Sequence, residues 1–225
     1  MKNLRPGEFL SGISRAVAHI VWPRVCLVCG ALGVDVCASC LASLAEMSTR
    51  FCVSCGGAFP CAAHADGMSC VAFSLYRGVN RDVIHAMKYS NGRRIALMMG
   101  RLMAGSIPRP DADFLVPVPL HGGSEREYNQ AGLIARGASE VWGMPVRDVL
   151  MWRAGSTSQA RKKKALLRNL PDDAIIARRS VSSGARVFLV DDVLTTGGTM
   201  RAARGAMERS GLSVAGSMVW SKSAS

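Results

Sequence analysis

The sequence predicts an α/β domain with a largely parallel sheet flanked by helices, preceded by a small metal-held module. Three observations predict it. From residue 71 onward, apolar runs of strand length alternate with stretches of helix length, the pattern of helices crossing over a parallel sheet. All eight cysteines lie between Cys26 and Cys70, mostly in Cys-x-x-Cys pairs. Residues 187–200, "VFLVDDVLTTGGTM", join an apolar run, two adjacent acids, a loop of small residues and a helix start.

The 225 residues suffice for one domain of ordinary size plus a small module, and an apolar share of 49% excludes wholesale disorder. Residues 4–22 read as an amphipathic helix, because Phe9, Ile13, Val17 and Ile20 recur at helical spacing before Pro23. Residues 24–70 are rich in Cys and Gly and hold too few large apolar side chains for a core of their own. "VAFSLY" (71–76) is a strand. "NRDVIHAMKYS" (80–90) and "RRIALMMGRLMAGS" (93–106) are helical, broken at Asn91-Gly92. "DFLVPVP" (113–119) is a short buried strand ending in prolines, and "NQAGLIARGASEVWG" (129–143) is a helix stopped by Gly143. "VRDVLMW" (146–152) is a short strand or turn, and "RVFLVDDV" (186–193) is the strongest strand in the chain. A helix over 198–211 capped by Gly211 and a strand over 212–220 complete the order. The domain boundaries are then 1–23, 24–70 and 71–225.

The formal charge is +12 and is unevenly spread. Residues 1–70 carry five bases and four acids, whereas 71–225 carry 23 bases and 12 acids. Such an excess fits a phosphate-rich partner or a basic soluble surface. No secretory signal is visible, and no run reaches the roughly 18 apolar residues of a membrane span. A cytoplasmic location is expected, where clustered cysteines more often bind metal than form disulfides.

The cysteine spacing supports metal. Cys26-x2-Cys29 is followed after seven residues by Cys37-x2-Cys40, and after eleven more by Cys52-x2-Cys55. Two such knuckles supply the four thiolates of a tetrahedral zinc site, so Cys26, Cys29, Cys37 and Cys40 form a first ligand set. For a second set, Cys52 and Cys55 need two partners from Cys61, His64 and Cys70. Cys61-x2-His64 keeps the knuckle spacing and is preferred, with Cys70 as the alternative. Sets with four protein ligands leave no open position, so both are read as structural. Structural zinc supplies roughly 10–16 kcal/mol of apparent binding energy, enough to order so small a module.

The acid pair carries the chemistry. Asp191 and Asp192 close an apolar strand, and open α/β sheets bind ligands at the carboxyl ends of their strands. Adjacent carboxylates there repel each other and need hydroxyl donors or a cation. Thr195, Thr196, Gly197, Gly198 and Thr199 then open a helix. Glycines let backbone approach a ligand, and N–H groups at a helix start favour a phosphate. A ligand with neighbouring hydroxyls beside a phosphate, a ribose 5-phosphate, satisfies both. The pattern is neither a P-loop nor a Gly-x-Gly-x-x-Gly turn. "LVPVPLHGG" (115–123) adds a Pro/Gly loop whose N–H groups suit pyrophosphate. From Val149 through Pro171 no acid occurs. The bases Arg153, Arg161, Lys162, Lys163, Lys164 and Arg168 make that stretch a cationic loop or a solvated basic face. Lys88 is a further candidate for the site.

The run from Val187 to Met200 resembles the signature of the type I phosphoribosyltransferases, which bind phosphoribosyl pyrophosphate. That resemblance implies that Asp191 and Asp192 hold the ribose 2- and 3-hydroxyls, that Thr195 to Thr199 cradle the 5-phosphate, and that magnesium accompanies the ligand. Further motifs resemble the ComF family of bacterial competence-related proteins: the double zinc ribbon, Tyr76-x-Gly78, Lys88-Tyr89, "PVPLH" at 117–121, "REYNQA" at 126–131, Thr157-x-Gln159 and Asn169. By that resemblance His121, Arg126, Asn129, Gln159 and Asn169 join Lys88, Arg161, Lys162, Lys164 and Arg168 around pyrophosphate. The family is linked to handling single-stranded DNA during natural transformation. The chain departs from its pattern at Gly123-Ser124, at Glu127, at His64 and at Ala174-Ile175.

Three functions follow. A phosphoribosyltransferase would displace pyrophosphate from the ribose with a nitrogen nucleophile. A binding protein would hold phosphoribosyl pyrophosphate or single-stranded DNA without turnover, the DNA on Lys162–Lys164, Arg93 and Arg94 with steep salt dependence. A docking subunit would use its zinc ribbons to recruit a helicase-like partner. Aromatic residues make up only 6%, which leaves few platforms for stacking bases.

Overall fold

The structure, a computed structural model, describes residues 25–34, 36–45, 48–89, 92–121, 126–153, 170–171, 173–178 and 184–223. The helix expected over 4–22 and most of the basic stretch lie outside the described residues. So do Gln159, Arg161, Lys162, Lys163, Lys164, Arg168 and Asn169.

The described elements are α1 (Ala38–Leu44), β1 (Thr49–Cys52), β2 (Ser69–Leu75), α2 (Gly78–Tyr89), α3 (Arg93–Ser106), β3 (Phe114–Pro117), α4 (Gln130–Trp142), β4 (Leu150–Trp152), β5 (Ile175–Ala177), β6 (Arg186–Leu194), α5 (Gly198–Arg209) and β7 (Ser213–Lys222). Five strands form one sheet in the order β1-β2-β7-β6-β3. β2, β7, β6 and β3 are mutually parallel, and β1 pairs antiparallel at one edge. β4 and β5 form a separate antiparallel pair.

Alternation along the strands explains why both faces are covered. On β6, Phe188 and Val190 enter one core cluster while Val187 and Leu189 enter the other. Val71 and Phe73 of β2 and Met218 and Trp220 of β7 join the first cluster; Cys70, Ala72 and Val219 join the second. The first face is roofed by α2, α3 and α4 through Ile84, Met99 and Ile134, and the second by α5 through Met200, Ala203 and Met207. Where α3 crosses α4, a Cβ on Gly100 would lie 2.0 Å from the Ile134 carbonyl oxygen. One on Gly137 would lie 2.1 Å from that of Leu97, so the crossing admits no side chain at either position.

The cysteine-rich residues share these cores. Val36, Leu41 and Leu44 join the first cluster, and the Asn80 side-chain amide donates to the Leu44 carbonyl at 3.3 Å while its oxygen accepts from the buried Trp220 indole at 3.1 Å. Val53 and Met68 join the second cluster, and Cys52 ends β1. The two knuckle regions thus pack on opposite faces of one sheet. The strand over 49–52 and the pairing of 150–152 with 175–177 go beyond the elements read from the sequence.

β6 runs one residue past the strand expected over 186–193. Val193 and Leu194 pair with Ser221 and Lys222 of β7, so the acid pair lies inside the strand, near its carboxyl end. At the other end of α5, Ser210 is the capping position, and Gly211 follows with φ +77°.

Candidate functional site

β6 places its two acids on different faces of the sheet by the alternation of the strand. Asp192 has the parity of Phe188 and Val190 and meets α2, where Lys88 Nζ lies 2.8 Å from its Oδ2. The pair is mostly buried, at 17% and 14% side-chain exposure, which strengthens it over a surface ion pair. The Asp192 backbone N–H donates to Asp191 Oδ1 at 2.8 Å. Burial, and then the neighbouring Asp192 charge, push the Asp191 carboxyl up to about 8, against the opposing pull of that N–H and of Lys88. One lysine for two carboxylates leaves room for a further cation or for hydroxyl donors.

The Thr/Gly loop opens α5. Gly197 takes φ +75° at the capping position, no side chain caps the helix, and no acid stands in its first turn. Its first N–H groups are therefore available to an anion. Gly197 and Gly198 are buried beneath the loop, while Thr195 and Thr196 are exposed.

The facing wall comes from the chain after β3 and from the start of α4. The Asn129 side-chain amide donates to the Val118 carbonyl at 2.9 Å, and the Trp152 indole donates to the Pro119 carbonyl at 3.1 Å. His121 leans on the Trp152 ring at 4.6 Å between centroids. Arg126 Nη1 donates to Gln130 Oε1 at 3.2 Å, which fixes that amide's orientation, since only the oxygen accepts. Gln130 is 2% exposed, and its Nε2 has no hydrogen-bond partner among the described residues.

The two walls enclose a cavity of about 300 Å³ lined by Lys88, His121, Arg126, Asn129, Asp191, Asp192, Thr195 and Thr199 among the expected residues. It is also lined by Val118, Gln130 and Trp152, which the sequence reading did not single out. Gln130 stood inside the quoted "REYNQA" run. A polar residue opening an otherwise apolar helix is the signal that points to it. Thr196, Gly197 and Gly198 do not line it: the two glycines are buried and Thr196 is exposed outside it. Of the basic residues expected to meet DNA, Arg93 is half exposed; it covers the Tyr128 ring at 4.7 Å and lies 4.0 Å from Glu127.

Both expected ligand sets converge. In each of Cys26, Cys29, Cys37, Cys40 and Cys52, Cys55, Cys61, His64, the ligand atoms lie within 4.8 Å of one another. A tetrahedral zinc with bonds of about 2.3 Å to sulfur separates its sulfurs by about 3.8 Å. The Cys29 and Cys37 sulfurs are 3.8 Å apart, those of Cys55 and Cys61 are 3.6 Å apart, and Cys61 Sγ is 3.4 Å from His64 Nδ1. The residues present therefore fit zinc. Cys70 belongs to neither set: it is fully buried in β2, and burial pushes its thiol up to about 12.

Residues 148–224 match the family model described as phosphoribosyl transferase domain. The matched segment holds the acid pair, the Thr/Gly loop, α5 and β7, and over these residues the chain is similar to phosphoribosyl transferase domains. No curated protein matches the chain. Among solved structures, it is similar to one described as the allosteric regulatory enzyme of purine biosynthesis, at 20% identity and a TM-score of 0.42, over 59% of this chain and 29% of that one. It is also similar to the adenine phosphoribosyltransferase of Thermoanaerobacter pseudethanolicus, at 14% identity and a TM-score of 0.37, over 60% of this chain and 82% of that one. With the UMP synthase of Leishmania donovani the identity is 17% and the TM-score 0.36, over 80% of this chain and 30% of that one. The chain thus spans under a third of the length of the first of these.

Proposed function

We propose that the chain binds phosphoribosyl pyrophosphate in the cavity between the β6–α5 loop and the start of α4, and that it is a phosphoribosyltransferase. The observation that carries this reading is the convergence of Asp191 and Asp192 with Thr195 and Thr199, at an uncapped helix start, on one cavity of about 300 Å³. That volume is at the small end of ligand sites and suits a phosphorylated sugar.

The roles follow from chemistry. Asp191 and Asp192 accept hydrogen bonds from the ribose 2- and 3-hydroxyls. Thr195–Thr199 and the N–H groups of α5 hold the 5-phosphate. Lys88, His121, Arg126 and Gln130 face the pyrophosphate, with the unpartnered Gln130 Nε2 as a donor awaiting an oxygen. Magnesium, when bound with the ligand, neutralises pyrophosphate oxygens and the acid pair. The bond from C1 to the pyrophosphate oxygen breaks as one from a nitrogen nucleophile forms, and pyrophosphate leaves with the electron pair. The chain's part is to orient the sugar and stabilise charge on the leaving group. The motifs similar to the ComF family support a role in handling single-stranded DNA, with a helicase-like partner. The division at residues 23 and 70 assigns zinc-held packing to residues 24–70 and ligand binding to residues 71–225.

Calorimetric titration of phosphoribosyl pyrophosphate with magnesium tests the reading. Binding by the wild type that disappears in Asp191→Ala/Asp192→Ala is expected. A folded, zinc-loaded wild type that takes up no ligand would remove it.

A further inference from the structure

The second zinc knuckle touches the Thr/Gly loop. A Cβ on Gly197 would lie 2.2 Å from the Val53 carbonyl oxygen, so the loop's backbone rests directly on the residue after Cys52. Arg201, in the first turn of α5, donates from one nitrogen to the Thr196 carbonyl at 2.9 Å and the Val53 carbonyl at 3.3 Å. One turn on, Arg204 donates to the Asp66 carbonyl at 2.7 Å, two residues beyond His64. Gly67 N–H in turn donates to the His64 carbonyl at 2.8 Å. The helix that opens at the loop is thereby tied to both flanks of one ligand set, beside Cys52 and beside His64.

We infer that the metal held by Cys52, Cys55, Cys61 and His64 sets the position of the Thr195–Thr199 loop and with it the affinity for a sugar phosphate. Arg201 is the positioning residue between them. The inference rests on the proposed reading that this loop holds a 5-phosphate. The physical reason is the knuckle's own weakness. From Cys55 to His64 the turns are held by few backbone bonds, such as Gly56 N–H to Cys52 and His64 N–H to Cys61, and no residue there is buried; burial in the knuckle is confined to Cys52 and Val53, whose N–H groups donate to Gly57 and Met68. Without a metal, Val53 keeps its core packing and its bond to Met68, but the turns through Cys55, Cys61 and His64 that lead to the Asp66 carbonyl lose their main constraint. Arg204 then loses a fixed acceptor, and α5 keeps only its tie through Arg201 to Val53. The first ligand set packs on the other face of the sheet, through Cys26, Val36 and Leu41, and makes none of these contacts.

Because coupling between two sites is reciprocal, bound ligand must tighten zinc at the second set by the same factor that zinc tightens the ligand. Loss of a group supporting a ligand shell commonly costs about tenfold or more. The experiment uses the full chain loaded with zinc, in zinc buffered by a chromophoric chelator. It measures the dissociation constant of magnesium phosphoribosyl pyrophosphate and the zinc affinity of each set. The variants are Cys55→Ser, Cys29→Ser as the control at the first set, and Arg201→Gln, which spares every ligand. The expected results are about tenfold weaker ligand binding in Cys55→Ser and Arg201→Gln but not in Cys29→Ser. Saturating ligand should also raise zinc affinity at the second set in the wild type and in Cys29→Ser, and not in Arg201→Gln. If Cys55→Ser fails to fold, Arg201→Gln and the wild-type zinc titration decide. Wild-type ligand binding with no effect of ligand on zinc, and unchanged binding in Arg201→Gln, overturns the coupling and leaves the phosphate site standing. No ligand binding by zinc-loaded wild type overturns both.

Discussion

Magnesium phosphoribosyl pyrophosphate should expel a proton from the acid pair when it binds. In the ligand-free protein Asp191 titrates near 8, raised first by burial and then by Asp192. About nine-tenths of the molecules therefore carry that proton at pH 7. A bound cation and ribose hydroxyls favour the ionised pair, so about 0.9 proton leaves per ligand at pH 7, falling toward one half at pH 8. The apparent affinity rises about tenfold per pH unit below that range. Calorimetry in buffers of different ionisation enthalpy reads the proton count directly. Asp191→Asn should release none, and Asp192→Asn should release less than wild type, because it removes a charge that raises the Asp191 value. The stability of the ligand-free protein carries the same sign. The folded state holds a proton the unfolded chain lacks between about pH 4 and 8, so stability falls across that window and levels off above it. A wild-type release below about 0.2 proton at pH 7 would refute the reasoning: Lys88 would then hold both carboxylates ionised in the empty site.

Two further substitutions probe other layers. Gly137→Ala places a methyl against the Leu97 carbonyl and should cost about 1–3 kcal/mol in denaturant unfolding, with ligand affinity little changed; an unshifted midpoint would show that α3 and α4 can part cheaply. Gln130→Leu removes a buried amide nitrogen that has no partner among the described residues, together with the oxygen that accepts from Arg126; the two effects oppose each other, so the melting temperature should change little while ligand binding weakens by about 1–2 kcal/mol. Unchanged affinity would take Gln130 out of the site.

Much of this was legible because local signals and tertiary demand coincide. The Phe188–Val190 run, the Gly143 stop and the Cys-x-x-Cys pairs each specify their element with few residues, and the strands and helices from 71 onward stand where periodicity puts them. The second ligand set was readable as Cys61 and His64 because the knuckle spacing repeats. Other features lacked a local signal. "TRFC" has no apolar alternation of its own and becomes strand β1 only by pairing with β2. Leu194 stays in β6, one residue past the expected 186–193, because β7 extends alongside it to Lys222. Trp152 reaches the site by a hydrogen bond to a residue 33 positions away, a distance over which no spacing rule operates. Arg201 carries no local signal of its role, because one of its two acceptors is the Val53 carbonyl, 148 positions away.

The strand order has a consequence for how the chain comes together. β7, the last strand along the described chain, lies between β2 and β6, and Ser74 of β2 donates to the Trp220 carbonyl across 146 positions. Until β7 inserts, the sheet exists as two unjoined halves, β1 with β2 and β3 with β6, and both edges facing the gap are open to wrong partners. A chain stopped before Ser213 would carry every residue named in the site and have no sheet on which to mount them.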